Sequence, residues 1–250
     1  MESSVAFAWP AGKRAAVSLS FDDARFSQMD VGIPLLDAQG VKGSFYVSLD
    51  RLETRLDEWR NALANGHEIG NHTIAHPCSG NFPWARANAL ENYTLPRMEK
   101  ELIGASARIE ELLGQKPQTF AYPCGQKFIG RGAKIRSYVG LVGKHFRVGR
   151  GFREEAINSP AWCDLAQASG IDFDCLTSAE CQSWIQKALE EGGWLIFAGH
   201  EVGGEARQTV HTATLEAICQ YCLDPANAVW IDTVDRIGAY VSDYQAPKKL

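Results

Sequence analysis

Two histidines four residues apart, His72 and His76, lie in the stretch His67-Glu68-Ile69-Gly70-Asn71-His72-Thr73-Ile74-Ala75-His76 of this 250-residue chain. A single helix-like turn there lets both imidazoles reach one metal ion, and neutral imidazole is the commonest protein ligand for zinc. Alone, such a pair is read as solvated or bonded to backbone carbonyls. Two ligands do not hold a catalytic metal, so a third must come from elsewhere. The paired carboxylates Asp22-Asp23, closing the run Ala15-Ala16-Val17-Ser18-Leu19-Ser20-Phe21, are its best source.

The elements that would position these groups alternate between strand-like and helix-like. Residues 15–21 form an apolar strand, 31–39 a helix closed by Gly40, 42–47 a strand, 56–64 an amphipathic helix, and 67–71 the strand that delivers His72. A helical period runs from Trp84 to Leu113, with Pro96 near the start of its proper helix. Residues 119–122, 138–142 and 171–176 read as strands, 179–191 as a helix, and 194–198 as a strongly apolar strand. A helix at 209–223, a strand at 228–231 and a helix at 233–244 complete the pattern, and the tail 245–250 is expected to fray. This alternation predicts an α/β fold with a mostly parallel sheet, open or closed into a barrel, in a single domain with its core at about residues 15–244.

In such folds chemistry gathers at the carboxyl ends of the strands. Asp22-Asp23, Asn71-His72, Tyr122-Pro123-Cys124-Gly125 and Gly199-His200-Glu201 all fall there. A net charge of -5 with 25 scattered basic residues gives no stripe for a phosphate backbone, so nucleic acid is excluded as a partner. No apolar run approaches the roughly 20 residues that span a bilayer, and no polybasic patch suggests a membrane surface. Residues 1–10 lack a secretory signal, and seven cysteines, an odd number, read as reduced thiols; both predict a cytoplasmic protein. The C-x-x-C of Cys219 and Cys222 reads as two thiols on a helix face. His145 and His211 have no evident partner, and His67 with Glu68 reads as a buried hydrogen-bonded pair. Trp84, Trp162, Trp184 and Trp194 read as packing residues, any of which could double as a sugar-stacking platform.

From Ala15 to about Gly203 the motifs Ser20-Phe21-Asp22-Asp23, Gly66 to Gly70 with His72 and His76, Phe120 to Gly125, and Leu195 to His200 follow in an order that resembles the polysaccharide deacetylases, the NodB-homology group of carbohydrate esterases (family 4-like). The resemblance implies a distorted (β/α) barrel of seven parallel strands and metal-dependent removal of N-acetyl, or O-acetyl, groups from sugars. It implies that Asp23, His72 and His76 hold one divalent ion, Zn2+ first and otherwise Co2+, Ni2+, Mn2+ or Fe2+. It further implies Asp22 as general base, His200 as the acid on the leaving group, and Cys124 with Tyr122 at the oxyanion or substrate, the Cys124 backbone N–H being the donor.

Two positions depart from the family pattern. Ala121 stands where an arginine usually orients the catalytic aspartate, which predicts that Asp22 lacks a positive partner; Cys124 replaces the usual tyrosine. Asp172 and Asp174 are the candidates to tune His200, against a reading as capping aspartates. The expected partner is thus an acetylated saccharide or small amide, the oligomeric state being left open. A hydrolase of a small non-sugar amide or cyclic ureide on the same fold is the alternative, and a non-catalytic sugar-binding relative the second.

Overall fold

The computed structural model describes residues 7–246. Its strands are β1 (Ala15–Asp22), β2 (Ser44–Val47), β3 (Glu68–Asn71), β4 (Thr119–Ala121), β5 (Phe128–Ile129), β6 (Arg136–Ser137), β7 (Val148–Arg150), β8 (Ile171–Asp172), β9 (Trp194–Gly199), β10 (Glu201–Val202), β11 (Thr209–Val210) and β12 (Val229–Ile231). Its α-helices are α1 (Ile33–Gln39), α2 (Leu49–Thr54), α3 (Leu56–Ala64), α4 (Leu95–Leu113), α5 (Val139–His145), α6 (Ser178–Glu191), α7 (Thr212–Leu223) and α8 (Val234–Gln245).

Seven parallel strands curl into a half-barrel in the order β7-β4-β3-β2-β1-β9-β8, as the α/β reading anticipates. β12 adds an eighth, pairing the first half of β1 while β2 pairs the second half. The two ends of the curl meet without a full ladder. Gly151 N donates to Ala168 O at 2.8 Å and Glu154 N to Gly170 O at 3.1 Å, so the segment leading into β8 bridges back to β7. Every residue of β1 and β9 is buried, as expected of strands covered on both faces. Outside the sheet, Leu36, Trp59, Ile109, Ile185 and Ile218 from five helices share one apolar cluster with Leu19, Phe45 and Phe197.

The inside of the curl is polar. Ser44 and Thr119 hydroxyls donate to Glu68, and the Tyr46 ring covers Gly70, where a Cβ would lie 2.5 Å from that ring. The Arg150 guanidinium sits over the same ring, 5.0 Å from its centroid.

Several boundaries depart from the sequence reading. Residues 138–142, expected as a strand, enter helix α5, because the buried positions Tyr138, Val142 and Phe146 recur every fourth residue and pack together. The strand that neighbours β4 is instead Val148–Arg150. Residues 209 and 210 pair with β10 before α7 begins, and 173–176 leave the sheet after Asp172. Glu68 and His67 do not bond each other: His67 accepts from Gly43 N at 3.0 Å and meets Asp37 at 3.2 Å, while Glu68 faces the barrel. His145 has a partner, Glu99, at 2.8 Å. Cys219 and Cys222 are buried on α7 as free thiols, but Cys78 and Cys124 form a disulfide, which corrects the expectation of wholly reduced thiols. An odd total fixes only that at least one thiol stays unpaired. Gln245 is held by Pro160 O and Cys163 O at 2.9 Å each; residues 247–250 of the tail expected to fray, and 1–6 of the N-terminus, lie outside the described residues. Among the described residues no helix is long and apolar enough to cross a membrane.

Candidate active site

The carboxyl ends of the strands open into one cavity of about 1010 Å³ lined by Asp22, Asp23, His72, His76, Cys124 and His200, together with Trp84, Phe82, Phe152 and several arginines. β1 delivers Asp22 at its last position, and Asp23 follows with φ 72°, its N–H held by Tyr46 O at 2.9 Å. β3 delivers His72. The His72–His76 segment is not the helical turn that the spacing suggested: Thr73 (φ 67°) and His76 (φ 45°) are left-handed, and Thr73 N donates to Asn71 Oδ1 while His76 N donates to Thr73 Oγ1. Non-glycine residues at positive φ, each costing on the order of 1–3 kcal/mol, gather on this rim at Asp23, Ala24, Thr73, His76, Cys124 and Arg153.

Asp23 Oδ1 lies 3.6 Å from His72 Nε2 and 3.4 Å from His76 Nε2. His72 Nδ1 is 2.9 Å from Ala121 O, an acceptor only, so that nitrogen carries the proton and Nε2 presents its lone pair. His76 Nδ1 faces the sulfur of Cys78 at 3.7 Å, which in a disulfide can only accept, so its Nε2 is oriented in the same sense. Arg25 occupies the other oxygen, Asp23 Oδ2, at 2.9 Å. Burial alone would raise the Asp23 carboxyl, but His72, His76 and Arg25 outweigh it and pull it down to about 2. Burial and the neighbouring His72 push His76 down to about 4, keeping it neutral. One carboxylate oxygen and two imidazole Nε2 atoms converging on one point fit a divalent transition-metal ion.

Asp22 is 3 % exposed and its Oδ1 accepts from the fully buried Arg150. The expectation of an unpartnered Asp22 is thereby corrected: the positive partner comes from the end of β7, two strands beyond β3, and not from position 121. Only the strand-like Val148-Gly149 before it could have flagged Arg150 in the sequence. Arg150 also donates to Gly151 O at 2.9 Å. Beyond the end of the neighbouring β9, His200 Nδ1 lies 2.6 Å from Asp174 Oδ2, and His200 N donates to Asp174 Oδ1 at 3.0 Å. Burial opposes the charged imidazole, but the bond to Asp174 and the nearby Asp22 prevail and raise the His200 pKa. Asp172 is taken by Arg153. The buried Gln28, in a turn of π-helix at 28–32, donates to both Asp22 O (2.7 Å) and His200 O (2.8 Å), tying the two strand ends together.

Cys124 lines the cavity, and among the described residues its backbone N–H has no acceptor. Tyr122 does not reach the cavity. Its N–H donates to Arg150 O at 3.0 Å and its buried hydroxyl to Ala166 O at 2.6 Å, so neither is available to a substrate. Of the four tryptophans, Trp84 is the one on the cavity, 5.8 Å from the His76 ring and stacked with Phe82. Trp194 is core, Trp184 packs against the core, and Trp162 stands in solvent.

Comparison with known proteins bears on the fold and the family. A polysaccharide deacetylase assigned from Mycobacterium smegmatis superposes with a TM-score of 0.68 at 18% identity, over 98% of this chain and 96% of that one. A family 4 acetyl xylan esterase from Clostridium thermocellum, solved with a cobalt ion, gives 0.59 at 18% identity over 90% of each chain. A gellan lyase of Bacillus sp. is 29% identical over 117 residues, which is 47% of this chain and 4% of that protein's length. The sequence profile of the polysaccharide deacetylase family matches residues 10–141, over half of the chain, and the chain belongs to that family.

Proposed function

We propose that the protein is a metal-dependent hydrolase that removes acetyl groups from a saccharide, with an N-acetyl group as the principal target. The observation that carries this reading is the pairing of two buried ion pairs, Asp22 with Arg150 and His200 with Asp174, at the neighbouring ends of β1 and β9, on the cavity that also receives Asp23, His72 and His76. A binding module has no use for a base and an acid so placed.

Asp23, His72 and His76 would hold the ion, zinc first, with cobalt, nickel, manganese or iron also compatible. When bound, a divalent ion supplies a Lewis acid that polarises an acyl carbonyl and makes a water more acidic. Asp22, with Oδ1 fixed by Arg150, takes the proton of the attacking water on its other oxygen. The Cys124 N–H donates to the carbonyl oxygen as negative charge grows there. His200, whose pKa Asp174 raises, gives its Nε2 proton to the leaving nitrogen, which cannot depart as an anion. Trp84 and Phe82 offer apolar faces to a sugar ring. A cavity of about 1010 Å³ is ample for a saccharide and oversized for a small ureide, which ranks the saccharide first.

Asp22→Asn is the direct test. Asparagine keeps the shape but cannot accept the proton, so release of acetate from N-acetylated amino-sugar oligomers should fall roughly 10²- to 10⁴-fold. Metal content, measured on the same sample, should stay at the parent level. Parental turnover in this variant would overturn the reading.

A further inference from the structure

Among the described residues a second group of donors converges beside the first: His76, Cys78 and Cys124 bring a nitrogen and two sulfurs within 4.8 Å of one another. We propose that reduction of the Cys78–Cys124 disulfide opens a second metal site, in which the two thiolates and His76 Nδ1 bind a thiophilic divalent ion such as zinc or cadmium.

The backbone on either side of the bond is held by other contacts, so the sulfurs stay opposed when it is cut. Cys78 O accepts from Leu90 N at 3.0 Å, Ser79 N donates to Gln126 Oε1 at 2.7 Å, and Gly125 N donates to Tyr122 O at 2.8 Å. The Cα atoms are 6.3 Å apart. Thiolates sharing a tetrahedral zinc stand about 3.8 Å apart, as follows from zinc–sulfur bonds of about 2.3 Å, and side-chain rotation reaches that separation. His76 presents its two nitrogens to different places: Nε2 lies 3.4 Å from Asp23, whereas Nδ1 lies 3.7 Å from Cys78 Sγ. Two sulfurs and one nitrogen form a softer set than the carboxylate and two imidazoles next door, so the two sites prefer different ions. Cys124 is partly exposed and lines the cavity, which gives a reductant and an ion their path to the buried Cys78.

The chemistry balances with a phosphine as reductant. The phosphine attacks one sulfur, the S–S bond breaks, and water supplies two protons to the sulfurs and its oxygen to the phosphine, leaving two thiols and a phosphine oxide. On metal binding each thiol releases a proton to solvent, and the His76 Nδ1 proton goes to solvent, leaving an imidazolate, when the first ion holds Nε2, or moves to Nε2 when that site is empty; each freed electron pair goes to the ion.

The test is a cadmium titration of the full chain, oxidised and phosphine-reduced, read by the ultraviolet thiolate-to-cadmium charge-transfer band. Relative to the oxidised protein, whose free thiols include the exposed Cys175, the reduced protein should take up one further ion with an added increment of that band. Cys124→Ser should abolish the increment, while Cys219→Ser, which removes one thiol of the other close pair, should keep it. His72→Ala should also keep it, so that loss of the Asp23 site and loss of this one are told apart. Cys78→Ser should behave like Cys124→Ser; if burial of Cys78 prevents that variant from folding, the Cys124 variant decides. A reduced protein without the increment, or an increment that survives Cys124→Ser, would overturn the proposal.

Discussion

Asp22 and His200 each meet an opposite charge that has been taken out of water with it, Asp22 with Arg150 and His200 with Asp174. In such pairs, removing the partner leaves a buried charge exposed to the full desolvation penalty. At His200 the effect has a sign that can be measured. Asp174 raises the imidazole, so the protonated acid persists to higher pH than an isolated histidine would allow. Asp174→Asn removes the negative charge while keeping a hydrogen-bond acceptor, and the basic limb of kcat/KM should move to lower pH. A profile whose basic limb stays in place would show that His200 is not the titrating acid. Asp174 was legible in the sequence as one of two candidates, Asp172 being the other; distance to His200 decides between them. Arg150 was not legible, because a charged residue at a strand end says nothing about which of several rim groups it faces.

The elements impose their own demands, most visibly where β2 and β3 run side by side with Tyr46 opposite Gly70. Gly70 has an ordinary backbone conformation; what requires glycine is space. A methyl group there would stand 2.5 Å from Tyr46 Cδ1 and Cε1 and 3.1 Å from Thr119 Oγ1. Tyr46 is fully buried with Arg150 over its ring, so it has no room to retreat. Gly70→Ala should therefore cost roughly 1–3 kcal/mol, read as a lower denaturant midpoint. Activity should fall further than stability, because displacing Tyr46 displaces the arginine that holds Asp22. Much of the strand order was legible from apolar runs ending in polar clusters, which is how β1, β3, β4 and β9 declare themselves. The segment 138–150 was not, since Tyr, Val and Leu suit a strand by residue type. Their burial at every fourth position emerges only when the chain packs. The disulfide was hidden for a related reason: Cys78 and Cys124 are 46 residues apart, and only the pairing of β3 with β4 makes them neighbours.

For the molecule as a whole, the floor of the half-barrel makes folding depend on pH. Part of Glu68 reaches solvent, yet its carboxylate takes hydrogen bonds from Ser44, Thr119 and the Asp235 N–H, and burial lifts its pKa to about 7 against the pull of those donors. The folded state thus binds a proton that the unfolded chain releases above about 4.5. Glu68 contributes stability that is fully present below that pH and is lost as the pH rises through about 7. Urea unfolding of the parent and of Glu68→Gln across this range should reveal the difference: the parent loses on the order of 2 kcal/mol that the glutamine variant keeps. Parallel curves would mean that Glu68 stays ionised in the folded protein. The other end of the barrel has a different kind of dependence. Asp22 and His200, the proposed base and acid, sit at the ends of β1 and β9, which are paired over six residues from Ala16 to Phe21, and Gln28 clasps the two carbonyls beyond the last pair. The span between proton acceptor and proton donor is therefore inherited from a backbone ladder and owes nothing to the loops that carry Phe82, Trp84 and Arg207. On the proposed reading, those loops can be altered to admit a different acyl compound while the ladder leaves the distance between the two proton-transfer groups unchanged.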